Sequence, residues 1–265
     1  MRKIISLLLI IVCLITSLCS CDKIKGLVED KPDDEIIIYT EGLGGYVIED
    51  NECVVSVGSA YELEEIIIPK TIDGNKVVAI DTRGFLGLDN LKNVSVPEGV
   101  YYIGDEAFMY CCSLMTVYLP EGVTRIGKGA FNGCRSLIGI RLSEGLTRIE
   151  EKTFYFCEKL TDIDFPSSVT YIGRNAFTGC GFTELTIPDH ITYIGEYAFS
   201  GCKSLTKVYI PEGTHVARYV FNGCDSLETV VYGGTRAQWE NMMRKNETGG
   251  YEDTWYRDVK IICEK

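Results

Sequence analysis

The chain has 265 residues, of which 46% are hydrophobic and 24% charged, so it is long enough for one or two domains and apolar enough to bury a core. Its formal net charge is −12. This acidity argues against a nucleic-acid partner and against electrostatic adhesion to an anionic membrane, because both need clustered Lys and Arg.

The first 20 residues predict a signal peptide for export. A charged Met-Arg-Lys start precedes residues 4–20, which carry no charge and are rich in Leu and Ile. The sequence Leu-Cys-Ser-Cys at 18–21 then resembles the bacterial lipobox, in which the final Cys is acylated and becomes the first residue of the mature protein. The resemblance implies that Cys21 carries a lipid anchor, although Cys19 stands where Ala, Ser or Thr is usual. A plain signal peptide or a single membrane helix is the alternative.

Two segments lead from this signal to the rest of the chain. Residues 21–35 start at the acylated Cys and continue as a charged stretch with Pro32, which predicts a tether between membrane and folded domain. Residues 36–62 contain two runs of β-forming residues around several glycines and predict an N-terminal β cap. The lipid is therefore the one membrane contact that we expect.

A repeat of 22 or 23 residues organises the chain between residues 63 and 232. Its most regular marks are a Phe, a Cys three residues after it, and an Ile or Val five residues before it. The phenylalanine column is Phe85, Phe108, Phe131, Phe154, Phe177, Phe199 and Phe221. The cysteine column is Cys111, Cys134, Cys157, Cys180, Cys202 and Cys224.

Each repeat predicts one turn of a solenoid. Its Leu-Thr-x-Val-x-Ile segment alternates apolar and polar residues as a half-buried strand does, and the following Pro ends the strand because it cannot donate to a ladder. Val-Thr-x-Ile-Gly predicts a second short strand, and Ala-Phe-x-Gly-Cys predicts one helical turn. Stacked units bury the apolar side that a single unit would leave exposed, with parallel strands about 4.8 Å apart. The predicted fold is a β-rich, right-handed coil with a parallel sheet and a cap at each end.

The segments PEGVTRIGKGAFNGCRSL and ITYIGEYAFSGCKSLTKVYIPEG resemble the BspA-like leucine-rich repeats of bacterial surface proteins. The resemblance covers about seven repeats over residues 63–232. It implies a leucine-rich-repeat solenoid and a role in binding or adhesion, because some relatives are implicated in attachment to host matrix proteins. One-residue deletions after Cys180 and near Thr214 depart from the pattern and put local stacking in doubt.

Both ends of the repeat array depart from the regular unit. In the first repeat, the sequence Asp73-Gly74-Asn75-Lys76 is the signal of a hairpin. Residues 233–265 predict a C-terminal cap, in which the capping-box pattern at 235–238 begins a short helix with Trp239 and two Met on one face. Residues 251–263 predict a strand that closes the edge.

The cysteine column has two interpretations, a metal or redox site and a buried stack of small apolar side chains. Metal sites favour paired ligands such as Cys-x-x-Cys or Cys with His. Here each turn brings one Cys and no repeated His. We therefore expect buried thiols and neither a metal nor another cofactor, while the pattern leaves open whether the thiols are free or form disulfides.

Two outward rows are candidate binding sites. The first, the aromatic–cationic row, lies six residues before each Phe and consists of Tyr102, Arg125, Arg148, Tyr171, Tyr193 and His215. Tyr and Arg dominate binding hot spots, so these residues are the first candidates, and the alternative is that they simply stack and stabilise the exposed sheet. The second, the main-sheet row, follows the predicted main strands and consists of Tyr118, Arg141, Asp164 and Tyr209.

The first functional prediction is a binding or adhesion module that recognises a protein, such as a host matrix protein. The alternative is a surface lipoprotein that captures glycans with the Tyr and Arg of the aromatic–cationic row. An enzyme is the third choice, because the two His, at 190 and 215, lie in no catalytic motif. We expect an exported, lipid-anchored protein of the cell envelope that faces outward or the periplasm.

Overall fold

The computed structural model describes residues 37–38, 43–48, 51–58, 61–246, 255–256 and 258–265. The predicted signal peptide, the lipidation residue Cys21 and the tether lie outside these residues. The described residues form a parallel-sheet β-solenoid of about eight turns with little helix, as the repeats predict. Each regular turn contributes a strand to a main face, a short strand to a second face, and a tight turn with the repeat Phe to a third face.

The main face consists of two four-stranded parallel sheets. The first contains β4 (Glu65–Ile67), β7 (Asn93–Ser95), β9 (Thr116–Tyr118) and β11 (Gly139–Ile140). The second contains β14 (Glu184–Thr186), β16 (Lys207–Ile210), β18 (Thr229–Tyr232) and β19 (Lys260–Cys263). They are separate because residues 162–164, at the intervening main-strand position, are not in a strand.

The second face also has a break. Its first sheet contains β1 (Ile37–Ile38), β2 (Leu43–Val47), β3 (Glu52–Val57), β5 (Thr71–Ile72), β6 (Asn75–Ile80), β8 (Tyr102–Ile103) and β10 (Arg125–Ile126). Its second sheet contains β12 (Arg148–Ile149), β13 (Tyr171–Ile172), β15 (Tyr193–Ile194) and β17 (His215–Val216). The break falls between β10 and β12, where the two neighbouring turns both carry Arg.

The third face is continuous through both breaks. Rings of successive Phe in the phenylalanine column stack at centroid distances of 5.2–5.8 Å with interplanar angles of 2–18°. The N–H of each Phe from Phe85 to Phe199 also donates to a carbonyl of the next turn, as from Phe108 to Ala130 at 2.8 Å and from Phe131 to Thr153 at 2.9 Å. Ring stacking and backbone hydrogen bonds therefore connect every turn from Phe85 to Phe221.

The cysteine column has a structural role beside these rings. Each of its thiols donates to the carbonyl of the Phe in the preceding turn, at sulfur–oxygen distances of 3.0–3.4 Å. All six thiols are free and buried. Burial raises the pKa of Cys111 to about 12 and that of Cys134 well above its usual value. These groups are neutral hydrogen-bond donors inside the core.

Glycine follows the buried Ile at several corners between the second and third faces because successive backbones approach closely there. A Cβ at Gly173 would lie 2.7 Å from the carbonyl carbon of Glu150, and one at Gly195 would lie 2.8 Å from the backbone nitrogen of Arg174. Such distances are too short for a carbon contact, and the opposing atoms are backbone rather than flexible side chain. A side chain at these corners would force neighbouring turns apart.

The irregular elements at the two ends follow their sequence signals. Asp73 and Gly74, with φ of 49° and 83°, form the loop that joins the antiparallel strands β5 and β6. At the C-terminal end α1 (Arg236–Asn246) begins with a capping box, since the N–H of Gln238 donates to Oγ1 of Thr235 and the N–H of Thr235 donates to Oε1 of Gln238. Trp239 is buried, and β19 pairs in parallel with β18.

Replacing a corner glycine should destabilise the solenoid. We expect Gly173→Ala to lower the free energy of unfolding by about 1–3 kcal/mol, because the new Cβ overlaps the backbone of Glu150. Gly139→Ala is the matched control, since a Cβ there meets no atom within 4 Å, and it should change stability by less than about 0.5 kcal/mol. Urea unfolding followed by circular dichroism measures both, and equal stability of the two variants would contradict the close approach.

Thiol labelling should distinguish the cysteine column from the other cysteines. Cys112 and Cys263 are partly exposed, whereas the column and Cys53 are buried. In a chain that starts at residue 22, we expect a small thiol reagent to modify these two residues rapidly and the other seven only after unfolding. Mass spectrometry of native and denatured samples gives the two sets. Rapid native labelling of any column residue would contradict the sealed core.

Candidate functional site

The aromatic–cationic row lies on the second face, in register from turn to turn. Tyr102 aligns with Arg125, Arg148 aligns with Tyr171, and Tyr193 aligns with both Tyr171 and His215. Each residue precedes a buried Ile or Val on its two-residue strand, and alternation along the strand turns its own side chain outward. The three Tyr are half-buried and the two Arg and His215 are exposed.

The row forms two stacks rather than one. In the first, the guanidinium of Arg125 lies 5.1 Å from the centroid of the Tyr102 ring. In the second, the guanidinium of Arg148 lies 4.4 Å from the Tyr171 ring, which stacks on Tyr193 at 5.0 Å and 2°, and Tyr193 in turn stacks on His215 at 5.2 Å and 23°. Arg125 and Arg148 thus each contact a Tyr on the side away from the other Arg.

The charges of Arg125 and Arg148 explain why the two side chains turn apart at the break in the second face. Like charges directly opposite each other destabilise a sheet, whereas a cation over an aromatic face is attracted to the negative potential of the ring. Because the two Arg side chains turn away from each other, each guanidinium lies over the ring of a Tyr in its neighbouring turn. Stacking of this kind contributes to the stability of the exposed strands.

An open groove of about 560 Å³ runs beside the second stack. Tyr171, Tyr193 and His215 form one wall, and Arg174, Glu196 and Arg218 form the other. Its floor is Gly195 and Ala217, whose small side chains leave the space between the two walls free.

The opposite wall was missed by the sequence analysis. Its charged residues lie three positions before Phe177, Phe199 and Phe221, so the same repeat arithmetic would have found them. Arg174 lies 4.0 Å from a carboxylate oxygen of Glu196 and 6.0 Å from the ring of Tyr197. Tyr197 stacks on Tyr219 at 5.0 Å, which makes a second, parallel row of stacked groups.

The Tyr hydroxyl groups give the groove its hydrogen-bonding capacity, and ion pairs give it charges of both signs. The pKa of Tyr193 is raised by burial, and the neighbouring Tyr171 and Glu196 raise it further. Its hydroxyl is therefore protonated at physiological pH and can both donate and accept a hydrogen bond. Arg174 and Glu196 place both signs of charge on one wall of the groove, and Arg148 forms an ion pair of 3.1 Å with Glu150 at the end of the stack.

The main-sheet row is less organised. Arg141 forms an ion pair of 2.8 Å with Glu121 of the neighbouring turn instead of contacting Tyr118. Asp164 lies in the segment that is not a strand, and Tyr209 aligns with Thr186 and Val231. Within the described part of the chain, no ring stacking joins these four residues, which the sequence placed in a single row.

The described residues also bear on metal binding and on membrane insertion. No group of three or more His, Cys, Asp or Glu in that part of the chain is placed to hold a metal ion. In the same residues, no helix has the length and apolar character needed to cross a membrane.

Several solved structures are similar to this chain, and the first of them supports the solenoid fold. A leucine-rich-repeat protein of T. pallidum is 23% identical over 83% of this chain and 98% of that chain, with a TM-score of 0.51. One from Bacteroides ovatus is 21% identical over 88% and 76% of the two chains, with a TM-score of 0.44. The pneumococcal vaccine antigen PcpA is 16% identical over 87% and 99%, with a TM-score of 0.39. A comparison with curated proteins gives no match.

The repeats themselves identify the family. The model of the BspA type leucine-rich repeat region matches in six copies, over residues 58–180 and 124–247. Together these matches span most of the chain, including every Phe and Cys of the two columns. The chain therefore belongs to the BspA-type leucine-rich-repeat family.

Proposed function

We propose that this chain is a surface-displayed module that binds a protein partner through the stack from Arg148 to His215 and its groove. A protein-interaction or adhesion-type module is what the family favours. The observation that carries the proposal is the continuous stack of Arg148, Tyr171, Tyr193 and His215 beside an open groove. Because these side chains are already held by their neighbours, a partner loses little affinity in ordering them.

The orientation of the rings supports a protein partner over a glycan. Tyr171 has one face against Arg148 and the other against Tyr193, and Tyr193 lies between Tyr171 and His215. A sugar ring stacks on an open aromatic face, and these faces are covered. What the stack presents outward are ring edges and hydroxyl groups, which suit the mixed apolar and hydrogen-bonding contacts of a protein interface.

The charges along the groove support the same choice. Arg174 and Glu196 place a cation and a carboxylate side by side in one wall, and Arg218 adds a further cation to that wall. At the end of the stack, Arg148 pairs with Glu150. A surface with interspersed charges of both signs selects a partner by complementary pairs rather than by net charge. We take host matrix proteins as the first class to test.

Display at the surface is proposed from the N-terminal sequence. The hydrophobic segment of residues 4–20 directs export, and Cys21 receives the lipid that holds the protein on an envelope membrane. The charged residues 22–35 then separate the solenoid from that membrane, which leaves the groove accessible to a partner.

Binding should be lost when the stack is removed. We expect a chain of residues 22–265 to bind at least one protein of a host-matrix array, and the double variant Tyr171→Ser, Tyr193→Ser to bind it at least about tenfold more weakly, because hot-spot Tyr residues dominate such interfaces. Surface plasmon resonance on the array hit, together with thermal melting, measures both affinity and folding.

The matched control is Tyr118→Ser, Tyr209→Ser, which removes two Tyr from the main-sheet row instead. It should bind as the unchanged chain does. A hit that is lost only in this control moves the site to the main face, and a hit on a glycan array alone replaces the protein partner with a glycan. Absence of any hit on either array contradicts the proposed function.

Replacing the lipidation residue should release the protein from the membrane. We expect Cys21→Ser, expressed in a lipoprotein-processing bacterium, to lose incorporation of labelled fatty acid, because the acyl-bearing thiol is absent. The control Cys19→Ser places a usual lipobox residue before Cys21 and should retain the label. Equal labelling of the two variants would contradict Cys21 as the anchor.

A further inference from the structure

The two end strands of the main face each have one open edge. In the strand order, β4 has a single neighbour, β7, and β19 has a single neighbour, β18. Among the described residues, no strand lies on the other side of either. Open edges with apolar side chains favour pairing with another chain, and soluble proteins usually block them.

Each of these two strands carries an exposed apolar side chain. Ile67 on β4 is 70% exposed, the highest value among the large hydrophobic residues that the structure describes, and Ile262 on β19 is 38% exposed. Tyr61 and Leu63, just before β4, are also exposed. At the other end, an open groove of about 460 Å³ has Trp239, Met243, Tyr256, Val259 and Ile261 among its lining residues.

The register of the main face predicts what would lie beside each end strand. Glu65 aligns with Asn93 at one end, and Thr229 aligns with Lys260 at the other. These residues share one position of the repeat, the outward one before the Val or Ile that packs against the core. If β4 of another copy of the chain paired with β19 in this register, Glu65 would lie opposite Lys260. Ile66 would then lie opposite Ile261, and Ile67 opposite Ile262.

The backbone groups are complementary in the same register. In a parallel pair, alternate residues direct their N–H and C=O groups to opposite sides of the strand. Asn93 donates to Glu64, Ile68 donates to Ser95, and Lys260 donates to Glu228, which fixes the side that each residue faces. The groups of Glu65 and Ile67 thus face the open side of β4, and those of Ile261 and Cys263 face the open side of β19.

We propose that the occupant of each open edge is a second copy of this chain, joined head to tail so that β19 of one copy pairs in parallel with β4 of the next. Ile67 and Ile262 shield each other, and Lys260 pairs with Glu65. A lone charge on an edge strand usually prevents self-association, but these two charges are opposite in sign and in register. The contact joins different surfaces, so it extends into a row of copies rather than closing as a symmetric dimer.

The main face and the second face do not start or stop at the same turn of the solenoid. At the C-terminal end the main face continues through β18 and β19 after the second face stops at β17, and at the N-terminal end the second face starts with β1, β2 and β3 before β4 begins the main face. The two ends are thus stepped in opposite directions. Arg236 already donates to the outward carbonyl of Ile261 at 3.2 Å, and that oxygen keeps a second lone pair for the incoming strand.

Charge reversal tests the register directly. The test uses a chain of residues 22–265, which contains the whole compact unit from Ile36 to Lys265. We expect its sedimentation coefficient to rise with protein concentration without reaching a plateau. Lys260→Glu alone and Glu65→Lys alone should each weaken association roughly fivefold, because like charges then face each other across the junction. An equimolar mixture of the two variants should recover the association of the unchanged chain. Where the two variants alternate along the row, every junction again joins opposite charges.

Lys203→Glu is the control for net charge, because Lys203 is exposed and lies in the turn before β16, away from both end strands. It should associate as the unchanged chain does. A monomer up to roughly 1 mM, a plateau at a dimer, or a mixture that fails to recover association would each overturn the head-to-tail contact. This inference does not depend on the proposed partner-binding function, since the groove beside Tyr171 lies on the second face.

Discussion

Turn-to-turn contact along the third face is the constraint on which the rest of this solenoid depends. A stacked Phe ring, a Phe N–H and a Cys thiol each contact the adjacent turn, and all three lie in the core where water does not compete. Where both outer faces are interrupted, Phe131 and Phe154 still stack at 5.6 Å. The ring stacking and hydrogen bonds of the third face thus hold successive turns together. The strands of the two outer faces can therefore vary or be interrupted without separating the turns.

That internal spacing determines what the surface can do. Turns held about 5 Å apart place successive outward side chains at the distance at which rings and guanidinium groups stack. A surface row in such a molecule is consequently a set of coupled neighbours, in which each residue's orientation depends on the next. The candidate site beside Tyr171 is organised because its neighbours are stacking partners, whereas Arg141 in the main-sheet row finds Glu121 and leaves Tyr118 without a stacking partner in that row.

The repeat spacing predicted the solenoid, and local sequence signals predicted the hairpin at Asp73-Gly74 and the capping box at Thr235. It also predicted which residues of the aromatic–cationic row share a face. It did not predict that Arg125 and Arg148 turn apart, because that depends on the choice of rotamer between two possible neighbours. Nor did it predict that Tyr110 and Phe156 adopt φ of 61° and 55° where five other turns have Gly, since side chains rarely adopt that conformation and local propensity opposes it.

At the ends of the solenoid, covering the apolar core and pairing the backbone groups of the last strand are separate physical requirements. Trp255 lies 5.0 Å from Phe221 in an edge-to-face contact and packs against Trp239, so the phenylalanine column is covered at its C-terminal end. Aromatic side chains can cover a ring because that contact needs only apolar area. The open strand edge of β19 needs hydrogen-bond partners in a fixed register, and the one side-chain hydrogen bond found there among the described residues of the cap comes from Arg236. The strand β4 occupies the matching position of the repeat at the opposite end of the main face.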